Sequence, residues 1–485
     1  MPPTHESSLR DLVDDSSRGD SASSADIAAR EYLFSRINYE RTAMPCGRNE
    51  VNLLRMRQLM ERLGNPLADT PIIHIAGTKG KGSTAAMCAA MLTAAGYKTG
   101  LYTSPHLEQL EERYSIDGDL ISSQTLTALC GQLRTVVDEL DAEADAASEP
   151  RLTFFELTTA LAFMHFAQAD VDWAVLEVGL GGRLDSTNVC SPRVTAITNI
   201  SFDHTRQLGN SLEEIAREKA GIIKQGVPVI SGVMDKSAAT VVADVAAQRE
   251  APLRQLGRDF HFDYVPPEHL EQEQETGLVR YRSSGTQSKS ANECETPLAM
   301  LGTHQAANAA VALAIRDEVL AKGFELPQSA VTQALSKLVY PARIEVVHRQ
   351  PTVIVDAAHN VASVQALIET LRASFTARRR YLIFASTNDK DVRGILRLVN
   401  PFFDRIFLTQ FVGNARATPP DELFRNAPGD NDSPTKLNRY ELCADPGSAW
   451  QAARAAATEE DMICVSGSFF LAGEIRHWIA EHANA

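Results

Sequence analysis

The chain reads as an α/β protein in two parts, each built on a mostly parallel sheet, and three observations predict this. Short apolar runs, Ile72–Ala76, Trp173–Val178, Val194–Ile200 and Val227–Val233, alternate with longer helical segments. They lack the period-2 alternation of a half-exposed strand, which suits strands covered on both faces. A second series, Val353–Ala357, Tyr381–Ala385, Arg405–Thr409 and Met462–Val465, begins after Tyr340-Pro341. The first run breaks into Gly77-Thr78-Lys79-Gly80-Lys81-Gly82-Ser83-Thr84, and an Ala/Met/Leu-rich helical segment follows from about Ala85 to Ala95. Strand, glycine-rich turn and helix in that order predict a larger P-loop-type domain, with a smaller Rossmann-like α/β domain after it. At 485 residues the chain is too long for one core.

Taken in order, residues 1–24 are Ser/Asp-rich with few large apolar side chains and read as a disordered arm. A helical pattern starts near Ala25 with Ile27, Tyr32, Leu33 and Ile37, and a second spans Val51–Leu63. The first domain covers 25–340. Within it, 257–300 changes character: Arg258–Val265, Gly277–Ser283 and Thr296–Met300 read as short strands of a small antiparallel appendage, joined by a charged, Ser/Gln-rich loop. The second domain covers 341–485, with the boundary within Val339–Arg349. Two such domains imply a cleft that closes over substrates.

Composition narrows the class. A formal net charge of −15 argues against a sequence-independent grip on nucleic acid or an anionic membrane. Seven cysteines are scattered, odd in number and never spaced as CxxC, so neither a disulfide framework nor a zinc site is expected. The N-terminus lacks the basic-then-apolar order of a signal peptide, and no run approaches membrane-spanning length. A cytoplasmic protein is expected, acting as a monomer on small molecules.

The turn at Gly77–Thr84 has the physics of a phosphate cradle. Glycines let backbone N–H groups close around an anion, the helix N-terminus adds a positive dipole end, and Lys81 adds a mobile charge. A common P-loop puts its hydroxyl directly after the lysine; here Gly82 intervenes.

Four more segments place polar residues near the ends of strands or helices. In Tyr102-Thr103-Ser104-Pro105-His106-Leu107, the Ser104 hydroxyl can cap a helix or ligate Mg²⁺. Glu177 interrupts a buried strand, so its carboxylate must be paired, protonated or bound to a cation; Gly179-Leu180-Gly181-Gly182-Arg183-Leu184-Asp185-Ser186 follows it. Thr198-Asn199-Ile200-Ser201-Phe202-Asp203-His204 ends another strand, and His204 reads equally as a packing residue or a metal-linked one. Lys219, in Glu218-Lys219-Ala220-Gly221, reads as a solvated charge on an exposed helix face.

These segments, in this order, resemble the folylpolyglutamate synthase/dihydrofolate synthase family, the folate branch of the Mur-type ATP-dependent amide ligases. The resemblance runs from about Ile72 to Arg343 and resumes at Val355–Asn360 and Val465–Arg476; it includes Gly302-Thr303-His304-Gln305-Ala306-Ala307-Asn308-Ala309-Ala310.

What the resemblance implies is an ATP-dependent ligase that joins L-glutamate to a folate, to dihydropteroate, or to both. Gly77, Thr78, Lys79, Gly80, Lys81, Gly82, Ser83 and Thr84 would bind ATP, with Lys81 on the transferred phosphoryl. Ser104 and Glu177 match ligands of a first Mg²⁺, and His204 matches a ligand of a second. Lys219 matches a lysine carried as a carbamate. Asn308, Arg343 and Asp356 match nucleotide contacts, and His359 would face the acyl and glutamate groups. Thr153, Phe154, Phe155 and Glu156, with Leu184, Asp185 and Ser186, match places where the pterin-bearing substrate lies.

The chain also departs from the pattern. Lys79 stands where bacterial members usually have Asn, and Ser186 where bifunctional members commonly have Ala. Ala357 and Ala342 replace family glycines, so neither position is expected to need a left-handed backbone. Rival readings are a UDP-muramyl-peptide ligase, a kinase or ATPase that uses no amino acid, and a non-catalytic nucleotide-binding module.

Overall fold

The computed structural model describes residues 23–40, 53–147, 149–284, 292–412, 414, 416–429 and 433–482. The expected disordered arm therefore falls almost wholly outside the described residues. Ser23, just before the helix Ser24–Phe34, accepts from the backbone N–H of Asp26 and caps it.

Chain contacts divide the molecule into two units. The first holds 1–263, 279–296 and 307–335; the second holds 264–278, 297–306 and 336–485. The sequence-based domains 25–340 and 341–485 stand beside this division as a proposal.

The first unit carries an eight-stranded sheet in the order β4-β3-β2-β5-β1-β6-β7-β8. Its strands are β1 Ile72–Ala76, β2 Thr99–Tyr102, β3 Tyr114–Ile116, β4 Asp119–Leu120, β5 Trp173–Glu177, β6 Val194–Ile197, β7 Val229–Ser231 and β8 Leu253–Gln255. The pairs β1–β5, β1–β6, β2–β5, β6–β7 and β7–β8 are parallel, while the hairpin β2–β3–β4 is antiparallel. The four central strands β2, β5, β1 and β6 are buried along nearly their whole length, which accounts for their unbroken apolar runs. One layer of core packs Leu33, Met56, Leu59, Leu129, Phe154 and Phe166 against the sheet, and another packs Ile197, Ile215, Val229 and Val242.

Register decides where the chemistry gathers. Ile75 pairs with Glu177, Ala76 with Ile197, and Tyr102 with Leu176. The loops after β1, β2, β5 and β6 thus leave the same carboxyl edge of the sheet, where open α/β sheets hold ligands.

The strands β9 Phe260–Val265, β10 Gly277–Ser283 and β11 Asn292–Leu298 form a separate three-stranded sheet in the order β11-β10-β9, its third strand starting before the expected Thr296–Met300. Residues 285–291 of its Ser/Gln-rich loop lie outside the described residues.

The second unit has a six-stranded sheet, β12-β13-β17-β14-β15-β16, with β12 Glu345–Arg349, β13 Thr352–Val355, β14 Arg380–Phe384, β15 Arg405–Leu408, β16 Tyr440–Leu442 and β17 Met462–Ser466. All its pairs are parallel except β12–β13. Leu270, from the connection between β9 and β10, is buried in this unit's core with Leu367, Leu371 and Phe402. Its backbone N–H donates to Ser374 at 3.0 Å, and Glu271 accepts from the N–H of Thr376 at 3.0 Å.

One expectation is corrected. Ala342 has φ +52°, and Ile344 also has φ +52°, so two non-glycine residues on either side of Arg343 are left-handed. The surroundings hold it there. Glu345 accepts from the Ala342 N–H at 2.9 Å, Ala357 N–H donates to the Ala342 carbonyl at 3.0 Å, and Asp356 accepts from the Ile344 N–H at 2.9 Å. Ala357 is not among the left-handed residues.

Candidate active site

The helix Lys81–Ala94 starts directly from the phosphate loop, with Gly80 as its N-cap at φ +79°. That conformation and the lack of space both require glycine: a Cβ on Gly80 would fall 2.2 Å from Asn308 Oδ1. Asn308 is thereby seated against the loop.

The loop is laced to the segment after β6. Thr78 N–H donates to the Asn199 carbonyl at 2.9 Å, Lys79 N–H to Asn199 Oδ1 at 2.9 Å, and Thr198 Oγ1 to the Lys79 carbonyl at 2.6 Å. Lys79 Nζ pairs with Asp203 Oδ2 at 2.7 Å. An asparagine could not make that ion pair, so this departure from the bacterial pattern has a local partner.

Glu177 ends β5 with its side chain 6% exposed. Its Oε2 accepts from the Ser104 N–H at 3.1 Å, and its Oε1 lies 3.9 Å from Lys81 Nζ. The buried carboxylate thus has a backbone donor on one oxygen and a lysine cation near the other. Ser104 and Glu177 are also brought together, as an oxygen-ligated cation requires. Thr84, fully buried, leaves its hydroxyl without a hydrogen-bond partner.

Lys219 is a correction. Local pattern predicts a solvated charge, yet it is 3% exposed and its Nζ donates to the Gly77 carbonyl at 2.9 Å. The helix Leu212–Ala220 turns this face inward, with Ile215, Ala216 and Ala220 buried around it. Burial first, then the Lys81 cation, pushes its amine down to about 7. His204 differs: it is exposed, has φ +48°, and its N–H donates to Asp203 Oδ1 at 3.0 Å.

The residues expected near the pterin split by role. Thr153 and Glu156 form a reciprocal capping box on the helix Phe154–Gln168. Phe154 is fully buried, stacked on Phe34 at 5.4 Å with the Arg113 guanidinium over its ring. Phe155 is half-buried, and its ring occupies the space where a Cβ on Gly179 would fall, 2.4 Å from Phe155 Cζ. Leu184 is half-buried; Asp185 and Ser186 are buried.

Arg343, Asp356 and His359 gather in the second unit. The Arg343 guanidinium lies 4.8 Å from the Phe469 ring centroid and 5.5 Å from that of Tyr340. Asp356 accepts from the N–H groups of Ile344 and Ala358, and burial raises its carboxyl despite the Arg343 cation. His359 Nδ1 donates to the Ala357 carbonyl at 2.9 Å, which holds the ring against the turn after β13.

Residues 75–316 match the Mur ligase middle domain, and residues 342–469 match the Mur ligase glutamate ligase domain. A Bacillus subtilis protein named dihydrofolate synthase/folylpolyglutamate synthase is 34% identical over 424 residues, 87% of this chain and 93% of that one.

The chain belongs to the folylpolyglutamate synthase/dihydrofolate synthase family.

Solved structures of the family agree in fold. Mycobacterium tuberculosis folylpolyglutamate synthase complexed with ADP has a TM-score of 0.81 at 31% identity, covering 94% of this chain and 98% of that one. A bifunctional folylpolyglutamate synthase/dihydrofolate synthase with Mn, AMPPNP and L-glutamate bound has a TM-score of 0.76 at 29% identity, covering 95% and 99%. The family is one of ATP-dependent ligases, with the mostly parallel first sheet and the second α/β domain read from the sequence. No helix among the described residues is long and apolar enough to cross a membrane.

The family's divalent cation can be tested against the residues present. Among the described residues no three His, Cys, Asp or Glu side chains group as a metal site. The adjacent Glu177 and Ser104 nevertheless fit Mg²⁺, which takes few protein oxygens and fills its remaining positions with phosphate and water. Sequence reasoning missed His74 and Thr187, which share a hydrogen bond. A histidine inside an otherwise apolar strand was the available signal for the first.

Proposed function

We propose that this chain joins L-glutamate to the carboxylate of a folate, of dihydropteroate, or of both, using ATP. The observation that carries this is the pairing of Lys81 with Glu177 and of Glu177 with Ser104, at the sheet edge where the phosphate loop opens.

A carboxylate oxygen is a poor leaving group, so it must first be activated. The acceptor's carboxylate attacks the γ-phosphorus of ATP, the bond to the β-phosphate oxygen breaks, and ADP leaves. The glutamate amine then attacks the acyl phosphate carbonyl, loses a proton, and expels phosphate. The Gly77–Thr84 loop orients the phosphates, and Lys81 exchanges its contact with Glu177 for the moving phosphoryl group. When bound, Mg²⁺ supplies charge neutralisation on the phosphates; Ser104 and Glu177 are proposed to hold one ion and His204 a second. Asn308, Arg343 and Asp356 are proposed nucleotide contacts, with His359 toward the acyl and glutamate groups.

Lys219 is proposed to carry a carbamate. Its neutral amine, populated near pH 7, attacks carbon dioxide and releases a proton. Phe155, with Leu184 to Ser186, is proposed to line the acceptor site, where Thr153, Phe154 and Glu156 shape the wall. The protein is proposed to act in the cytoplasm as a monomer, without nucleic acid.

The test is ADP release from ATP and Mg²⁺ by the purified protein. Release that requires both L-glutamate and either dihydropteroate or tetrahydrofolate supports the reading. Release without glutamate, or only with a UDP-muramyl peptide, overturns it.

A further inference from the structure

His74 is the only polar side chain in β1, between Ile73 and Ile75, and it is fully buried. The phosphate loop begins three residues later. Its recorded hydrogen bond is to another segment: Nε2 lies 2.8 Å from the hydroxyl of Thr187, in the connection after β5.

The bonding beyond Thr187 fixes the direction of this contact. Thr187 Oγ1 donates its single proton to Asp185 Oδ1, so it can only accept from His74. His74 therefore carries its proton on Nε2, which makes Nδ1 a bare nitrogen. Nδ1 is buried with no hydrogen-bond partner, a smaller cost than burying an unpaired N–H there. Burial also pushes this imidazole down to about 3, so it stays a neutral donor at working pH.

Asp185 spends its carboxylate inside the loop. Oδ1 accepts also from the Thr187 N–H at 3.0 Å, Oδ2 accepts from the Leu180 N–H at 3.0 Å, and Gly179 N–H adds a further bond. These bonds fold Gly179–Thr187 back on itself just after Glu177. Asn188, the next residue, donates to the carbonyls of Arg183 at 3.0 Å and Gly221 at 3.1 Å.

We propose that His74 is a positioning residue for the acceptor: through Thr187 and Asp185 it sets the shape of the Gly179–Ser186 loop that the pterin-bearing substrate meets. The inference rests on the folate-ligase reading above. It gives one strand two functions, since β1 feeds the phosphate loop from its end and braces the acceptor loop from its side.

The test compares His74→Leu, His74→Gln and Thr187→Val in the full chain. A glutamine amide can place an N–H near the position of Nε2; a leucine cannot. His74→Leu and Thr187→Val are each expected to raise the acceptor KM about tenfold while the KM for ATP stays within about twofold. His74→Gln is expected to recover most of the loss, and His74→Leu with Thr187→Val to cost no more than either alone. If His74→Leu does not fold, the other two variants carry the comparison, and imidazole ¹⁵N shifts of the unliganded wild type report whether Nε2 is protonated. Equal change in both KM values, no change in either, a glutamine no better than leucine, or a proton on Nδ1 overturns the proposal. Wild-type protein without acceptor-dependent ADP release instead overturns the folate-ligase reading, and this inference with it.

Discussion

Lys79 reaches across from the phosphate loop to Asp203, the residue before His204, and closes an ion pair of 2.7 Å. The glycine-rich loop after β1 and the loop that carries His204 are thereby fastened to each other. Lys81, two residues on, faces Glu177 instead. On the proposed function the two lysines divide the work, one anchoring and one available to the phosphoryl group.

From this division, Lys81→Ala and His204→Ala are each expected to lower kcat by about a hundredfold or more while leaving the thermal midpoint near that of wild type. Steady-state ADP release and a melting curve check both halves. Unchanged turnover in either variant would sink the site assignment.

Lys219→Arg keeps a cation but cannot form the carbamate under physiological conditions. Turnover is expected to fall by about a hundredfold. In the wild type, depleting bicarbonate and carbon dioxide should lower kcat, and intact mass of the native protein should show the added carbon dioxide. Full activity of Lys219→Arg would remove the carbamate from the mechanism.

Gly179→Ala drives a methyl group into the Phe155 ring. Overpacking of this kind costs about 1–3 kcal/mol, and here the displaced ring lines the proposed acceptor site. The acceptor KM should rise while the KM for ATP holds. Adding Phe155→Leu should recover stability, measured by urea denaturation, without restoring acceptor affinity.

Ala342→Gly is expected to change stability by less than about 1 kcal/mol, because glycine accepts the left-handed φ that alanine adopts at a cost. That relief is offset by the loss of a fully buried methyl and by glycine's extra freedom in the unfolded chain. Denaturant midpoints of the two proteins decide it, and a loss of more than about 2 kcal/mol would show that the alanine is not strained.

Stability should fall as the solution is acidified below neutrality. Burial holds folded His74 at about 3, and burial with the Arg343 cation holds His304 at about 4, whereas an unfolded histidine titrates near 6.5. Between those values the unfolded chain binds more protons. Stability present above about 6.5 is therefore lost as pH drops toward the folded values, by up to about 1.4 kcal/mol per pH unit for each ring. Unfolding free energies at pH 7.5 and 5.5 measure it, and His74→Gln should flatten the slope.

Much of this was legible in the chain itself. Runs such as Ile72–Ala76 and Met462–Val465 announce buried parallel strands, and the glycine-rich turn announces its ligand chemistry, because both depend on local pattern. Lys219 was not legible: its amine's acceptor is the carbonyl of Gly77, distant in sequence and brought in by the fold. Ala342 misled for a similar reason. Alanine argues locally against a left-handed backbone, yet bonds to Glu345 and Ala357 outweigh that preference. Thr153 and Glu156 look alike as substrate contacts or helix caps until the capping box is seen.

Leu270 has a consequence for how this protein can be cut and exchanged. It arises between two strands of the appendage, yet its side chain fills the interior of the second unit, and the neighbouring Glu271 caps Thr376 there. A gene fragment beginning after Tyr340 would inherit the glutamate-ligase sheet with a leucine-sized gap in it. Shuffling this half among relatives would succeed only if residues 264–278 travelled with it, so the unit of inheritance is larger than the contiguous stretch that looks like a domain.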